Sequence, residues 1–162
     1  MSTKQARVAL EPMTLAEYGV YLDHSVRGYA EDKITSGEWA PDEALARSRE
    51  DFDRLLPDGL KSADQYLFTA HDASSGEQAA ILWVALRMKG GRLEAFIYDI
   101  EVREEARGKG YGRATMQAAI EKARELHADT LGLHVFGHNT VARSLYESLG
   151  FHPTNISMSL DL

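Results

Sequence analysis

Cysteine is absent from this 162-residue chain. Disulfides, thiolate metal ligands and a cysteine nucleophile are excluded together, so any thioester chemistry has to come from a bound molecule. Long apolar runs are missing as well. No stretch approaches the roughly 20 residues of a membrane span, and no basic start leads into an apolar run and a cleavage site. The expectation is a cytoplasmic protein without a membrane partner. Basic excess is the third absence: 18 Lys and Arg stand against 25 Asp and Glu, a formal charge of -7. Nucleic acid is thereby disfavoured, because phosphate binding needs clustered cations.

What is present fits one globular domain, with 44% hydrophobic and 27% charged residues. Its charge is uneven. Residues 11 to 58 hold twelve acids and five bases and account for the whole -7, while cations gather at 103 to 113. A solvated acidic helix surface is one reading of the first segment. A field that gathers cationic ligands is the other.

Periodicity divides the chain. A short strand is predicted at 7–10, then helices over 14–35 and 41–56, with Thr14 and Pro41 suited to helix starts and Ser36-Gly37 and Pro57-Asp58-Gly59 to stops. Apolar runs at 65–70, 79–88 and 93–102, separated by turn residues, predict an antiparallel meander. Over 112–126 a helix is predicted from Met116, Ala119, Ile120 and Ala123, which fall on one stripe. A strand is expected at 131–136, a helix capped by Asn139 and ended by Gly150 next, and a last strand at 151–162. The order implies an α/β fold with a mixed, mostly antiparallel sheet covered by helices on both faces, its crossover from 93–102 to 131–136 parallel. No repeat or linker interrupts it.

Arg107-Gly108-Lys109-Gly110-Tyr111-Gly112-Arg113 lies between a strand and a helix start. Free N–H groups and the positive end of the helix dipole make such a start an anion site, and glycine lets phosphate oxygens approach the backbone. The spacing matches neither G-x-G-x-x-G nor G-x-x-x-x-G-K-S/T, which demotes dinucleotide readers and nucleoside triphosphatases.

The turn resembles the phosphate-binding motif of the GNAT superfamily of N-acetyltransferases, Q/R-x-x-G-x-G/A, through Arg107, Gly110 and Gly112. The run from Asn139 to Phe151 is similar to that superfamily's N-x-x-A-x-x-L-Y-x-x-x-G-F segment. Tyr29-Ala30-Glu31 and Ser36-Gly37-Glu38-Trp39 resemble an uncharacterised bacterial subgroup. The resemblance implies a single N-acetyltransferase domain with a V-shaped splay between the strands at 93–102 and 131–136. Residues 1–60 would supply acceptor-side helices, 65–102 the antiparallel strands and 103–162 the acyl-CoA half. It implies acetyl-CoA as acyl donor, with the pantetheine arm paired by backbone near Ile100 and Val102 and contacted by Asn139. The pyrophosphate would lie on amides from Gly108, Lys109, Gly110, Tyr111, Gly112 and Arg113, and Tyr146 would lie near the sulfur.

Acetyl transfer needs a neutral amine, an oxyanion donor and a proton for the thiolate. A phenol of pKa about 10 is protonated at neutral pH and can donate to a thiolate, so Tyr146 fits the acid. A backbone N–H near Ile100 to Val102 would be the oxyanion donor by resemblance. Three residues compete for the base. His134 follows the helix where ribosomal-protein N-terminal acetyltransferases of the superfamily carry glutamate, and its reference pKa suits the task. Asp99 and Glu101 are two apart on the strand beside the thioester and share a face. His134 and His138, spaced i and i+4, straddle a strand end rather than sharing a helix face, so no metal is expected.

The acceptor would be a small amine, a polyamine, a peptide N-terminus or a lysine, approached past Tyr21, Tyr29, Trp39, Glu31, Asp32 and Glu38. A terminal strand at 156–162 could pair between protomers, giving a homodimer. A non-catalytic CoA-binding regulatory or assembly domain is the alternative. Tyr146 favours catalysis.

Overall fold

The structure, a computed structural model, describes residues 5–162. After β1 (Val8–Pro12), Thr14 opens α1 (Leu15–Thr35). Its hydroxyl accepts from the Glu17 N–H at 3.2 Å while the Glu17 carboxylate accepts from the Thr14 N–H at 3.4 Å, a reciprocal cap that satisfies two otherwise orphaned donors. Gly37, at φ 77°, takes the chain out of the helix. In α2 (Ala44–Leu55), Ala44, Ser48 and Phe52 are buried at helical spacing.

The meander follows as β2 (Gln65–Asp72), β3 (Gln78–Lys89) and β4 (Arg92–Val102), then α3 (Tyr111–Glu125), β5 (Thr130–Leu133) and α4 (Thr140–Ser148). One five-stranded sheet results, ordered β1-β2-β3-β4-β5. Its first three pairings are antiparallel, and β4 with β5 is parallel, as the strand–helix–strand order predicts. Met116, Ala119 and Ala123 of α3 pack with Phe68, Leu82, Val84, Ala95 and Ile97 on one face, and Leu145 and Tyr146 of α4 adjoin them. On the other face Tyr21 and Val26 of α1 and Phe52 of α2 cover Leu67 and Trp83.

Two expectations are corrected. The strand predicted to reach Phe136 stops at Leu133, so His134 lies just beyond it. Residues 151–162 form no strand. Only their first member reaches the core: the Phe151 N–H bonds to the Tyr146 carbonyl at 3.1 Å, with Gly150 at φ 97°, and its ring joins the α3-side cluster. Beyond it Ile156, Met158, Leu160 and Leu162 are all exposed. Alternation marks a strand, but alternation alone supplies no neighbour to bond with.

One irregularity positions everything that follows. Val84 pairs with Ile97 and Trp83 with Asp99, so Tyr98 is an extra residue on β4. Such a bulge resets which face each later residue occupies. Ala95 and Ile97 lie in the α3-side core, and strict alternation would send Asp99 and Glu101 there too. Instead Ile100 packs on that side, while Asp99 and Glu101 face α1. The parallel ladder ends at the same point, with Ile97 opposite Leu133, leaving the β4 edge beyond it without a β-ladder partner.

Met116 is fully buried between α3 and the sheet. Met116→Ala should cost about 2–5 kcal/mol. A fall in the urea midpoint at unchanged m-value would show it, and a change under 1 kcal/mol would contradict this packing.

Candidate active site

The glycine turn sits at the start of α3. Gly108 and Gly110 have φ of 74° and 89°, a backbone region that side chains disfavour. Gly110 stands immediately before the helix, so the amides of Tyr111, Gly112 and Arg113 are helix-start donors with no intrahelical partner. At Gly112 a Cβ would lie 3.5 Å from Leu145 of α4 and 3.7 Å from Val102 of β4, ordinary contact distances, so packing there leaves room for a methyl group. A hollow of about 280 Å³ beside the turn is lined by Lys109, Gly110, Arg113 and Gln117 among others.

The turn's cations are tied to local partners. Arg107 Nε donates to the Val102 carbonyl at 3.2 Å, and its Nη2 lies 3.8 Å from Glu101. Lys109 donates to the Glu105 carbonyl, and Arg113 to Ser148 Oγ at 2.7 Å. The Tyr111 phenol points away from the anion site and donates to Asp72 at 2.7 Å, pinning the β2–β3 turn, so only its amide is left for a ligand. Asn139 Oδ1 accepts from the Ala142 N–H at 3.2 Å. Its carbonyl oxygen thus serves as the α4 cap.

Asp99 lies beyond the bulge, where the sheet opens. It keeps some surface open, but packed protein crowds its other sides. That desolvation raises the carboxyl to about 6, against a hydrogen bond from Tyr21 that lowers it and the nearby Glu101 charge that raises it further. Tyr21 Oη donates to Asp99 Oδ2 at 2.9 Å. Tyr146 of α4 approaches from the opposite face of the fold. Burial, and secondarily the Asp99 charge, push its phenol up, so it stays protonated through neutral pH.

Glu101 is engaged elsewhere. His24 Nε2 lies 2.8 and 3.0 Å from its two oxygens, with Arg107 on its other side. His134 is exposed, edge-on to Phe136 with centroids 5.1 Å apart, and makes no side-chain hydrogen bond among those found. His138 stacks on Phe136 and lies 3.6 Å from Asp32. The structure therefore places Asp99 beside the open β4 edge, with Tyr146 of α4 within range of its charge, and puts His134 immediately after the last residue of the β4–β5 ladder.

An aromatic run extends from Trp39 through Tyr29, Phe52, Trp83 and Tyr98 to Phe96, each centroid 4.7–6.2 Å from the next, with Phe52 and Trp83 buried in the core between α1, α2 and the sheet. The Lys33 ammonium sits 5.6, 5.4 and 5.7 Å from the rings of Tyr29, Trp39 and Phe136 and pairs with Glu38. Of the acids expected to face the acceptor, Glu38 and Asp32 are thus already paired. Sequence reasoning missed His24, Ser25 and Lys33. His24 and Ser25 fall three and four residues after Tyr21, and that helical spacing was the available signal.

A glycine turn at a helix start and a bulged strand open along one edge are the arrangement that the GNAT resemblance implies. Residues 33–151 match the acetyltransferase (GNAT) family, and the chain belongs to that family. It is 37% identical over 155 residues to the uncharacterised N-acetyltransferase YycN of Bacillus subtilis, covering 96% of this chain and 99% of that one. The crystal structure of YycN superposes with a TM-score of 0.90 over 96% of this chain and 98% of that chain. Mycothiol acetyltransferase of Nocardiopsis dassonvillei is 34% identical over 90% of this chain and 42% of its own length. The Escherichia coli ribosomal protein bS18 alanine N-acetyltransferase is 36% identical over 39% of this chain and 43% of its own length. The chain is accordingly an N-acetyltransferase, and membership implies acetyl-CoA as its donor. The free amides and positive-φ glycines of the turn fit its pyrophosphate.

Asp99 titrates in the folded state near 6, above the unfolded value of about 4. The native state then binds this proton more tightly, so the contribution is full below pH 4 and is lost as pH rises through 6. Asp99→Asn should therefore raise stability at pH 8 by roughly 1–3 kcal/mol and flatten the decline between pH 4 and 6. Urea titrations at several pH values measure this, and a variant less stable at pH 8 would contradict it.

Proposed function

We propose that the chain transfers the acetyl group of acetyl-CoA directly to a primary amine, with Asp99 as base and Tyr146 as acid. The observation that carries this reading is the Asp99 carboxyl, fixed by the Tyr21 hydroxyl at 2.9 Å beside the strand edge that the β4–β5 ladder leaves open, in a chain of the acetyltransferase family. When bound, acetyl-CoA supplies an activated acyl carbon and a thiolate leaving group. Amides at 108–113 hold its pyrophosphate, backbone at Ile100 and Val102 holds its arm, with the Asn139 side-chain amide nearby, and an N–H near the bulge takes the carbonyl oxygen. The amine nitrogen forms the new C–N bond as C–S breaks. Of the two protons an ammonium loses in becoming an amide, one leaves through Asp99 to solvent. The other replaces the proton that Tyr146 gives to sulfur. His134 and Glu101 remain as rivals for the base, but the first is exposed with only the edge contact to Phe136 to orient it, and the second is held by His24 and Arg107.

The reading treats residues 1–162 as one cytoplasmic acetyltransferase unit, its acceptor side framed by 1–60. Its acceptor is a cationic amine, a peptide N-terminus or a lysine. The names of two relatives, directed to mycothiol and to the alanine of a ribosomal protein, bracket that range.

Acetyl-CoA at 100 times its dissociation constant should stabilise the protein by about 2.7 kcal/mol. An unchanged melting temperature would reject the donor site. Release of CoA thiol across a panel of amines, diamines, aminoglycosides and peptides identifies the acceptor. With it, kcat/KM should show an acid limb near pH 6 that Asp99→Asn abolishes, along with 10²–10⁴-fold of rate. An Asp99→Asn enzyme with a wild-type profile, or Tyr146→Phe as fast as wild type, would remove the corresponding assignment.

A homodimer forms part of the same proposal. Ile156, Met158, Leu160 and Leu162 alternate with polar residues and are exposed, and β5 ends the sheet with one edge open. A second copy's tail adding to that edge would cover both. Light scattering should give twice the chain mass, and a chain ending after Phe151 should give the monomer. A monomeric full-length chain would overturn it.

A further inference from the structure

Helix α1 crosses the opening of the sheet. In its first half Tyr21 donates to Asp99 at 2.9 Å and His24 Nε2 lies 2.8 Å from Glu101, both acids on β4 beyond the bulge. Towards its end Asp32 lies 3.6 Å from His138, and the Lys33 ammonium 5.7 Å from the Phe136 ring, both of them in the chain that follows β5. The β4–β5 ladder stops at Ile97 and Leu133, so these two sets of contacts stand on opposite sides of the opening. α1 therefore spans it as a bar. From Tyr21 to Asp32 a helix covers about 16 Å, at roughly 1.5 Å per residue.

Gly28 lies between the two anchorages, seven residues after Tyr21 and four before Asp32, a spacing that puts it on their side of the helix. A glycine inside a helix lowers its stability relative to alanine. Two ordinary reasons for accepting that loss do not apply here. The φ of Gly28 is not positive, and a Cβ added to it meets nothing within 4 Å among the described residues. An open hollow of about 740 Å³ over α1 and α2 has His24, Gly28 and Glu31 in its lining. The remaining use of glycine is to let a bound molecule come close to the backbone.

We propose that Gly28 is a notch in this bar through which the acceptor passes α1 to reach Asp99, so that the residue at position 28 sets the width of acceptor admitted. This rests on the acetyl-transfer reading and on Asp99 as the base that the amine must meet. The rim of the notch suits an ammonium. Glu31 and Asp32 follow one turn after Gly28, and Glu101 stands across from His24 one turn before it. These acids draw a cation to that side of the helix. Width then selects: hydrogen at position 28 leaves the passage open, and a longer side chain closes it.

The test sets Gly28 against Gly19, which is also inside α1 with nothing within 4 Å of an added Cβ, but is exposed and, two residues from Tyr21, off the bridging side. Gly28→Ala and Gly19→Ala should both raise the urea midpoint. With the best amine of the panel, Gly28→Leu should lose about 10-fold or more in kcat/KM while its CoA dissociation constant stays within about 2-fold of wild type, and Gly19→Leu should keep both. Because the chain has no cysteine of its own, Gly28→Cys gives a graded version. Treated with methyl or with benzyl methanethiosulfonate, it should lose more rate to the larger group and regain it on reduction, and Gly19→Cys treated alike should not change. A lowered midpoint in Gly28→Ala, a folded Gly28→Leu enzyme with wild-type kcat/KM, or a Gly28→Cys enzyme that the reagents do not reach or do not slow overturns the notch. Absence of thiol release with every amine of the panel, or of any stabilisation by acetyl-CoA, would instead reject the underlying acetyl-transfer reading.

Discussion

A single extra residue in β4 is the constraint on which the rest of the molecule depends. Before Tyr98, alternation sends Ala95 and Ile97 into the core under α3. After it, the same alternation sends Ile100 there and turns Asp99 and Glu101 towards α1. Without the bulge two carboxylates would be driven into an apolar layer, at a desolvation cost no ion pair on that face offsets. The bulge also coincides with the end of the β4–β5 ladder, so the opening of the sheet and the arrival of its acid residues have one cause.

Electrostatics follows that geometry. The acidic N-terminal segment is largely a solvated surface with internal pairings, as Arg27–Asp23 and Arg54–Asp51 show. Exposed pairs of this kind stabilise little. The consequential charge is Asp99, crowded on most sides and held by a buried phenol. Its cost to folding and its suitability as a base are one property seen from two directions, the usual compromise between stability and activity. The cationic turn is built differently, from backbone amides and glycines whose φ angles expose them, while its Arg and Lys side chains rest on neighbours.

The family match begins at residue 33, so Tyr21, His24 and Ser25 lie before it. The part of the molecule shared across the family carries the turn, the bulged strand and Tyr146. The helix that completes the environment of Asp99 comes from outside that shared part. The glycine turn and the helix that holds Asp99 thus come from different stretches of chain.

How much could be read from residue order differs by element. Three helices carry their own signals: Thr14 with Glu17 for α1, Gly110 ahead of α3, Asn139 and Gly150 around α4. These act within a few residues, so the order of elements, the mixed sheet and the anion turn followed from the sequence alone. The overextended β5 and the unformed strand after Phe151 show the limit, because a strand needs a neighbour's backbone and alternation names no neighbour. Asp99, Glu101 and Tyr146 were identifiable by type and spacing. That Asp99 is crowded and held by Tyr21, and that Glu101 is taken by His24 and Arg107, are facts of packing between residues up to 78 positions distant. Local sequence determined which chemistry the chain contains. Only the tertiary fold decided which carboxylate is desolvated enough to use it, because desolvation and hydrogen-bond partners are supplied by other segments of the chain.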